Sequence, residues 1–333
     1  MKIRSIANLT YRTVEFSLKL NPTLTTTTTS ATITSNAKLL PCDIDYSQLT
    51  HYVLPDLPNV ITPEISNRFY SNIPLNSRFV TIAASHHHSQ ESLLHHIYSH
   101  ISHRTNNILI VGGNEKHKQS TSTPTVNEFQ FLSSSEAISV IQEHFYKQPS
   151  CSSQSQNNPL SPTPPPKIWC VWNPNKEEQD DNEQFWESVS LSSKISAGAS
   201  GVITQPILTQ RGWENLEYVS STLPQEIDLI VGVAFPPSIK SLLFWAQLID
   251  IDINANAKKD HLKNEYTTTM DPLWMDHLEY FSQSDFDACM RRKWIVQHQR
   301  DPILSCGRVN GVHLMPFGNI SDLPLFLQNA NEQ

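Results

Sequence analysis

Glycine is scarce in this chain, nine among 333 residues. None of the nine builds the G-x-G-x-x-G turn that an open, doubly wound sheet carries after its first strand, where this chain has threonines instead. Cysteine is scarce as well: Cys42, Cys151, Cys170, Cys289 and Cys306 form neither a CxxC pair nor an even framework, so free thiols in a reducing compartment are expected. No apolar run approaches the roughly 18 to 20 residues of a membrane span, and the N-terminus lacks the apolar stretch of a signal peptide. Basic side chains are outnumbered, 24 against 32 acidic, for a net charge of -8 and no Lys/Arg stripe, which excludes nucleic acid as a partner. The expectation is a soluble, cytoplasmic protein. The basic, acid-free start MKIRSIANLTYR keeps an organellar address as the alternative, although a first strand beginning by Arg12 leaves little to remove.

A length of 333 residues suits one (β/α)8 barrel, which takes about 250 residues plus insertions. The hydrophobic fraction is only 38%, but the apolar residues gather in dense runs between polar tracts. Three such tracts, residues 23–36, 148–166 and 254–271, read as flexible loops, the second ending in three prolines that no helix or central strand accepts. Between them β-branched runs alternate with amphipathic stretches. The expected strands are 13–18, 50–54, 78–84, 107–112, 167–172, 200–205, 228–234 and 311–317. Helical spacing follows over 89–102, 181–198, 209–223, 238–250 and 285–301. Eight strands with intervening helices predict a single closed (β/α)8 barrel of the α/β class.

In such a barrel the chemistry sits at the carboxyl ends of the strands. That filter selects Glu15, Asn114, Trp172, Gln205 and the turn FPPSIK. One acid, two amides and an aromatic wall suit a planar heterocycle better than a hydrolase. Glu15 lies between Val14 and Phe16; facing inward it would have a raised pKa and serve as a proton donor, facing outward it is an ordinary salt-bridged carboxylate. Gln205 closes a buried strand, where its amide needs either a ligand or a backbone carbonyl. His86, His87 and His88 are consecutive, and His96, His100 and His103 recur at helical spacing, but only Glu91 stands near to complete a metal set, so no metal site is expected. Cys306 with His313 downstream lacks an orienting acid for nucleophilic catalysis.

The segment KISAGASGVITQ, with Lys194, Ala197, Gly198, Ala199, Ile203, Thr204 and Gln205 in order, resembles the helix-to-strand unit K-x-x-A-G-A…I-T-Q of the methylenetetrahydrofolate reductase family. TVEFSL resembles its F-E-F strand, NNILIVGGN its L-R-G-D strand, CVWNPN its A-x-Y-P segment, IVGVAFPPSIKSLLFW its P-G-I-x-P region and GVHLMPFGN its H-F-Y-T-L-N strand. The similarity spans about 250 residues outside the inserts, close to the length of one such barrel. It implies an FAD-dependent barrel in which NAD(P)H reduces the flavin and the flavin reduces methylenetetrahydrofolate to methyltetrahydrofolate, with the chain in a homo-oligomer. It further implies Glu15 as the proton donor, Asn114, Gln205 and Ile239 at the folate, and Gly113, Asn114, Trp172, Lys194 and Ala199 at the FAD. The departures are equally specific. Asn114 replaces an aspartate, Phe79 a histidine, Trp172 a tyrosine, and Leu18 and Lys19 a pair of prolines; Ser193 and Lys194 stand for a basic pair, and Ile320 for an arginine. They leave as an alternative a catalytically degenerate reductase-like barrel that acts as a binding or structural subunit.

Overall fold

A computed structural model describes residues 11–15, 49–54, 73–74, 77–87, 89–101, 107–112, 132–147, 165–176, 186–251, 271–316 and 326. Asn114 and Gly113 lie outside these residues, as do the three polar tracts apart from Pro165, Pro166 and Asp271.

The eight expected strands are present and close into one parallel barrel in chain order. They are β1 (Tyr11–Glu15), β2 (His51–Leu54), β3 (Arg78–Ala83), β4 (Asn107–Val111), β5 (Lys167–Trp172), β6 (Gly201–Pro206), β7 (Asp228–Ala234) and β8 (Gly311–Met315). Alternation of side chains along each strand sorts the residues into two cores. Val14, Ile82, Ile110, Cys170, Val202, Val231 and Leu314 face outward into a large cluster shared with the helices. Val53, Phe79, Leu109, Trp169, Ile203 and Ile230 fill the barrel itself.

The helices are α1 (Gln90–Ile101), α2 (Ser134–Gln142), α3 (Trp186–Ser196), α4 (Gln210–Thr222), α5 (Ile239–Leu248), α6 (Pro272–Phe281), α7 (Ala288–Ile295) and α8 (Asp301–Ser305). Apolar spacing alone does not announce α2 and α6, yet both carry start signals. Ser133 and Glu136 form a reciprocal capping box ahead of α2, and the Asp271 carboxylate caps α6 with Pro272 at its first turn.

One helix departs from the simple alternation. The N-cap of α5, Ser238, follows β7, but its far end, Ile249, offers its carbonyl to Asn173 Nδ2 at 2.7 Å, just past the carboxyl end of β5. The helix therefore crosses the rim above β6 instead of returning to the amino ends. The outer layer resumes with α6, whose cap Asp271 also accepts hydrogen bonds from Gln210 N and Arg211 N at the start of α4.

Gly198 shows why the A-G-A segment has its composition. It ends α3 at φ +115°, and a Cβ there would stand 2.2 Å from Gln142 Cγ, the side chain whose Nε2 donates to the Gly198 carbonyl at 2.7 Å.

Candidate functional site at the carboxyl mouth

Following hydrogen-bonded partners around the barrel, and adding one residue per strand as a shear of eight requires, sorts the inward positions into layers contributed by alternate strands. At the amino end lie Tyr11, Lys167 and Asp228. Next comes a middle layer of Thr13, Phe79, Trp169 and Ile230, then one of Val53, Leu109, Ile203 and His313. Above these stand Thr81, Val171 and Gly232, with Glu15 at the corresponding strand position of β1. Val111, Gln205 and Met315 complete the carboxyl mouth.

The amino end is closed. Lys167 pairs with Asp228, the Tyr11 hydroxyl donates to Asp228 Oδ2 at 2.9 Å, and the Lys167 ammonium lies 4.7 Å from the Trp169 ring centroid. Burial raises the Tyr11 phenol above its ordinary pKa, with the neighbouring Lys167 opposing. The Trp169 indole reaches from β5 to rings on the opposite side, 5.1 Å from Tyr11 and 5.2 Å from Phe79 between centroids, and donates to Asn107 Oδ1 at 3.1 Å. Gly201 makes room for it, since a Cβ there would stand 2.2 Å from the indole Cε3.

The mouth contrasts with this. Among the described residues Gln205 Oε1 is buried with no hydrogen-bond partner, and so is Thr81 Oγ1 two layers above the Phe79 level. Gln205 sits where the ladder between β6 and β7 slips, the register shifting between Ile203 and Pro206. Such a bulge re-aims a side chain relative to regular pairing. Its backbone is held from both sides, with Thr204 Oγ1 donating to the Gln205 carbonyl at 2.8 Å and accepting from Gly232 N at 2.9 Å. Val111, Val171 and Met315 supply apolar walls, each partly exposed.

The other expected site residues are less concentrated. Glu15 ends β1 with Val53 as its Cα partner. Trp172 is 2% exposed and belongs to the outer core, because three positions separate it from the inward Trp169 and alternation turns it outward. It offers no face to the mouth for ring stacking. Ala199 is buried at the amino side of β6, about 20 Å of extended chain from Gln205. Ile239 opens α5 on the rim, half-buried against the outer core. Lys194 lies in the last turn of α3, and its ammonium reaches back to donate to the Val171 carbonyl at 2.9 Å. It passes Cys170, whose thiol burial pushes up to about 12 against the opposing charge of Lys194.

Two groups that the spacing did not single out are built into the rim. Thr81 is one. The other is an asparagine network in the turn after β5, Asn173 and Asn175, both buried, for which the segment NPN was the available signal.

His87 and His96 pack with ring centroids 5.0 Å apart and planes tilted by 50°, and among the described residues no group of three or more His, Cys, Asp or Glu side chains is arranged to hold a metal ion. Cys170, Cys289 and Cys306 are free thiols. Among the described residues no helix is long and apolar enough to cross a membrane.

No protein-family model matches the chain, and no curated protein matches it in sequence. Among solved structures it is similar to an uncharacterised protein from Clostridium thermocellum that binds two copies of 5-methyl-5,6,7,8-tetrahydrofolic acid, with 14% identity, 84% of this chain and 81% of that chain covered, and a TM-score of 0.47. It is also similar to a protein from Burkholderia cenocepacia J2315 provisionally assigned as a phosphonomutase, with 10% identity, 60% and 75% covered, and a TM-score of 0.38.

Proposed function

We propose that the chain is a reduced-folate-binding barrel of the methylenetetrahydrofolate reductase type, with the pterin seated in the carboxyl mouth against Gln205. The observation that carries this reading is the buried, unpartnered Gln205 Oε1, at the position where the I-T-Q resemblance implies a substrate contact. Leaving such an acceptor unsatisfied costs about 1–3 kcal/mol, a penalty that a ligand N–H removes. A pterin presents ring N–H and amino donors on a flat ring, and the apolar walls of Val111, Val171 and Met315 favour that ring by area burial.

FAD fits the described positions poorly. Trp172 turns into the outer core, Ala199 lies at the opposite end of β6, and the Lys194 ammonium is engaged by the Val171 carbonyl. Folate binding is therefore the reading the geometry supports best. Flavin-dependent reduction by NAD(P)H is the second reading. It rests on Lys194, to which the K-x-x-A-G-A resemblance assigns an FAD contact and whose ammonium reaches the carboxyl half of β5 from the last turn of α3.

Calorimetric titration with 5-methyltetrahydrofolate tests the binding reading. Saturable binding is expected, with Gln205→Met weakening it about tenfold and holding or raising the melting temperature of the unliganded protein. No binding, or binding that ignores Gln205→Met, overturns it. The visible spectrum separates the two readings: a flavin band bleached by NADH or NADPH establishes the reductase, and a preparation that stays colourless after FAD is added and removed by desalting leaves folate binding alone.

A further inference from the structure

Gln205 owes its orientation to more than its own strand, within which Thr204 Oγ1 donates to the Gln205 carbonyl. At the bulge the β6–β7 ladder does not pair its position, so regular strand hydrogen bonds do not fix it. The residues that follow are instead gripped by Asn175, 4% exposed. Asn175 Nδ2 donates to the Pro206 carbonyl at 2.7 Å, and Asn175 Oδ1 accepts from Leu208 N at 2.9 Å and from the Thr209 hydroxyl at 3.2 Å. The second proton of Nδ2 goes to Asn173 Oδ1 at 3.1 Å, which also accepts from Asn175 N at 3.1 Å. All four hydrogen-bonding sites of the Asn175 amide are thus used. Asn173 in turn donates to the Ile249 carbonyl at the end of α5.

We infer that Asn175 is a positioning residue for Gln205, and that through Asn173 it ties the seating of the rim helix α5 to the presentation of the Gln205 amide to ligand. This rests on the folate-binding reading of the mouth. The chain of contacts is continuous, Ile249 to Asn173 to Asn175 to Pro206, and Pro206 is covalently next to Gln205. A backbone shift at Pro206 re-aims the buried Oε1, and a shift of about 1 Å is enough to lose a hydrogen bond's geometry. The apolar walls contribute ligand affinity without this chain, so its effect falls on the pterin and not on the rest of the molecule.

The isosteric substitutions Asn175→Asp and Asn173→Asp test it, because each removes donors and keeps acceptors. Asn175→Asp loses the bonds to Pro206 and to Asn173 Oδ1; Asn173→Asp loses only the bond to Ile249. Affinity for 5-methyltetrahydrofolate is read by calorimetry in each variant, alone and combined with Gln205→Met, on protein whose circular dichroism and melting show it folded. The expected result is a loss of about tenfold for Asn175→Asp and a smaller loss for Asn173→Asp, neither adding to the loss caused by Gln205→Met. Affinity for p-aminobenzoylglutamate, which lacks the pterin, is expected to stay unchanged. Losses that add fully to that of Gln205→Met, or equal losses for the pterin-free fragment, assign the asparagines a general structural role and overturn the proposal. Should Asn175→Asp fail to fold, Asn173→Asp decides: its non-additive loss with Gln205→Met sustains the proposal, and full affinity or additivity ends it. An unaltered response to Gln205→Met alone refutes instead the folate reading on which the proposal rests.

Discussion

The two ends of this barrel handle inward-facing polarity in opposite ways. At the amino end Lys167, Asp228 and Tyr11 satisfy one another beneath the Trp169 indole. At the carboxyl end Gln205 Oε1 and Thr81 Oγ1 are buried with no partner among the described residues. The same fold, and strands from the same sheet, supply both. A group whose partner is built into the chain stabilises the fold, and a group left without one is a cost that persists where something else supplies the partner. Burial alone therefore does not separate the two ends; the presence of a partner among the described residues does.

The sharpest way to break the contrast is at its centre. Trp169→Ala removes the ring that separates the two ends and leaves a cavity under Gly201, and a loss of about 3–5 kcal/mol is expected in denaturant unfolding. Acid comes next, and it acts outside the barrel bore. His277, fully buried between α6 and α7, accepts from Trp294 Nε1 at 3.1 Å, and burial, aided by His298, pulls its imidazole down to about 3. Its unfolded form takes a proton near 6.5 that the folded form refuses, so its contribution to stability is full above pH 6.5 and is lost as pH falls toward 3. At pH 4 the loss is about 3 kcal/mol; thermal melts against pH check it, and His277→Phe should flatten the acid limb. Lys167→Met leaves Asp228 without its cation; with both side chains partly exposed, at 30% and 23%, the expected cost is about 1–2 kcal/mol. Folate affinity should not change, and a Lys167→Met effect on binding would blur the two ends. The smallest effect belongs to Thr81→Val, which removes an unpaired hydroxyl without changing shape. Its melting temperature should rise by the equivalent of about 1 kcal/mol, whereas the same exchange at the bonded Thr13 should lower it.

Much of this architecture was legible in the residues. All eight strands lie where β-branched runs predict them, because a buried parallel strand has few ways to look otherwise. The course of α5 was not legible: its apolar spacing announces a helix, but the contact that lays it across the rim is one hydrogen bond from Asn173, 76 residues away in sequence. Gln205 was recognisable at the mouth, and the cost of burying its amide was foreseeable. Trp172 was chosen for its place at a strand's carboxyl end, a criterion that ignores parity. Since Trp169 faces inward, a residue three further on faces out, and that inference needed only the inward assignment of one neighbour.

The indole of Trp169 also decides how molecules move. Spanning the bore from β5 to the rings of β1 and β3, over a glycine that makes way for it, it turns the barrel, among the described residues, into a blind cup open at the carboxyl mouth. Anything that reaches the Gln205 level enters and leaves by the same route, so two molecules using that floor have to stack or take turns and cannot pass each other. That route passes the rim, where α5 lies across the exit from β6.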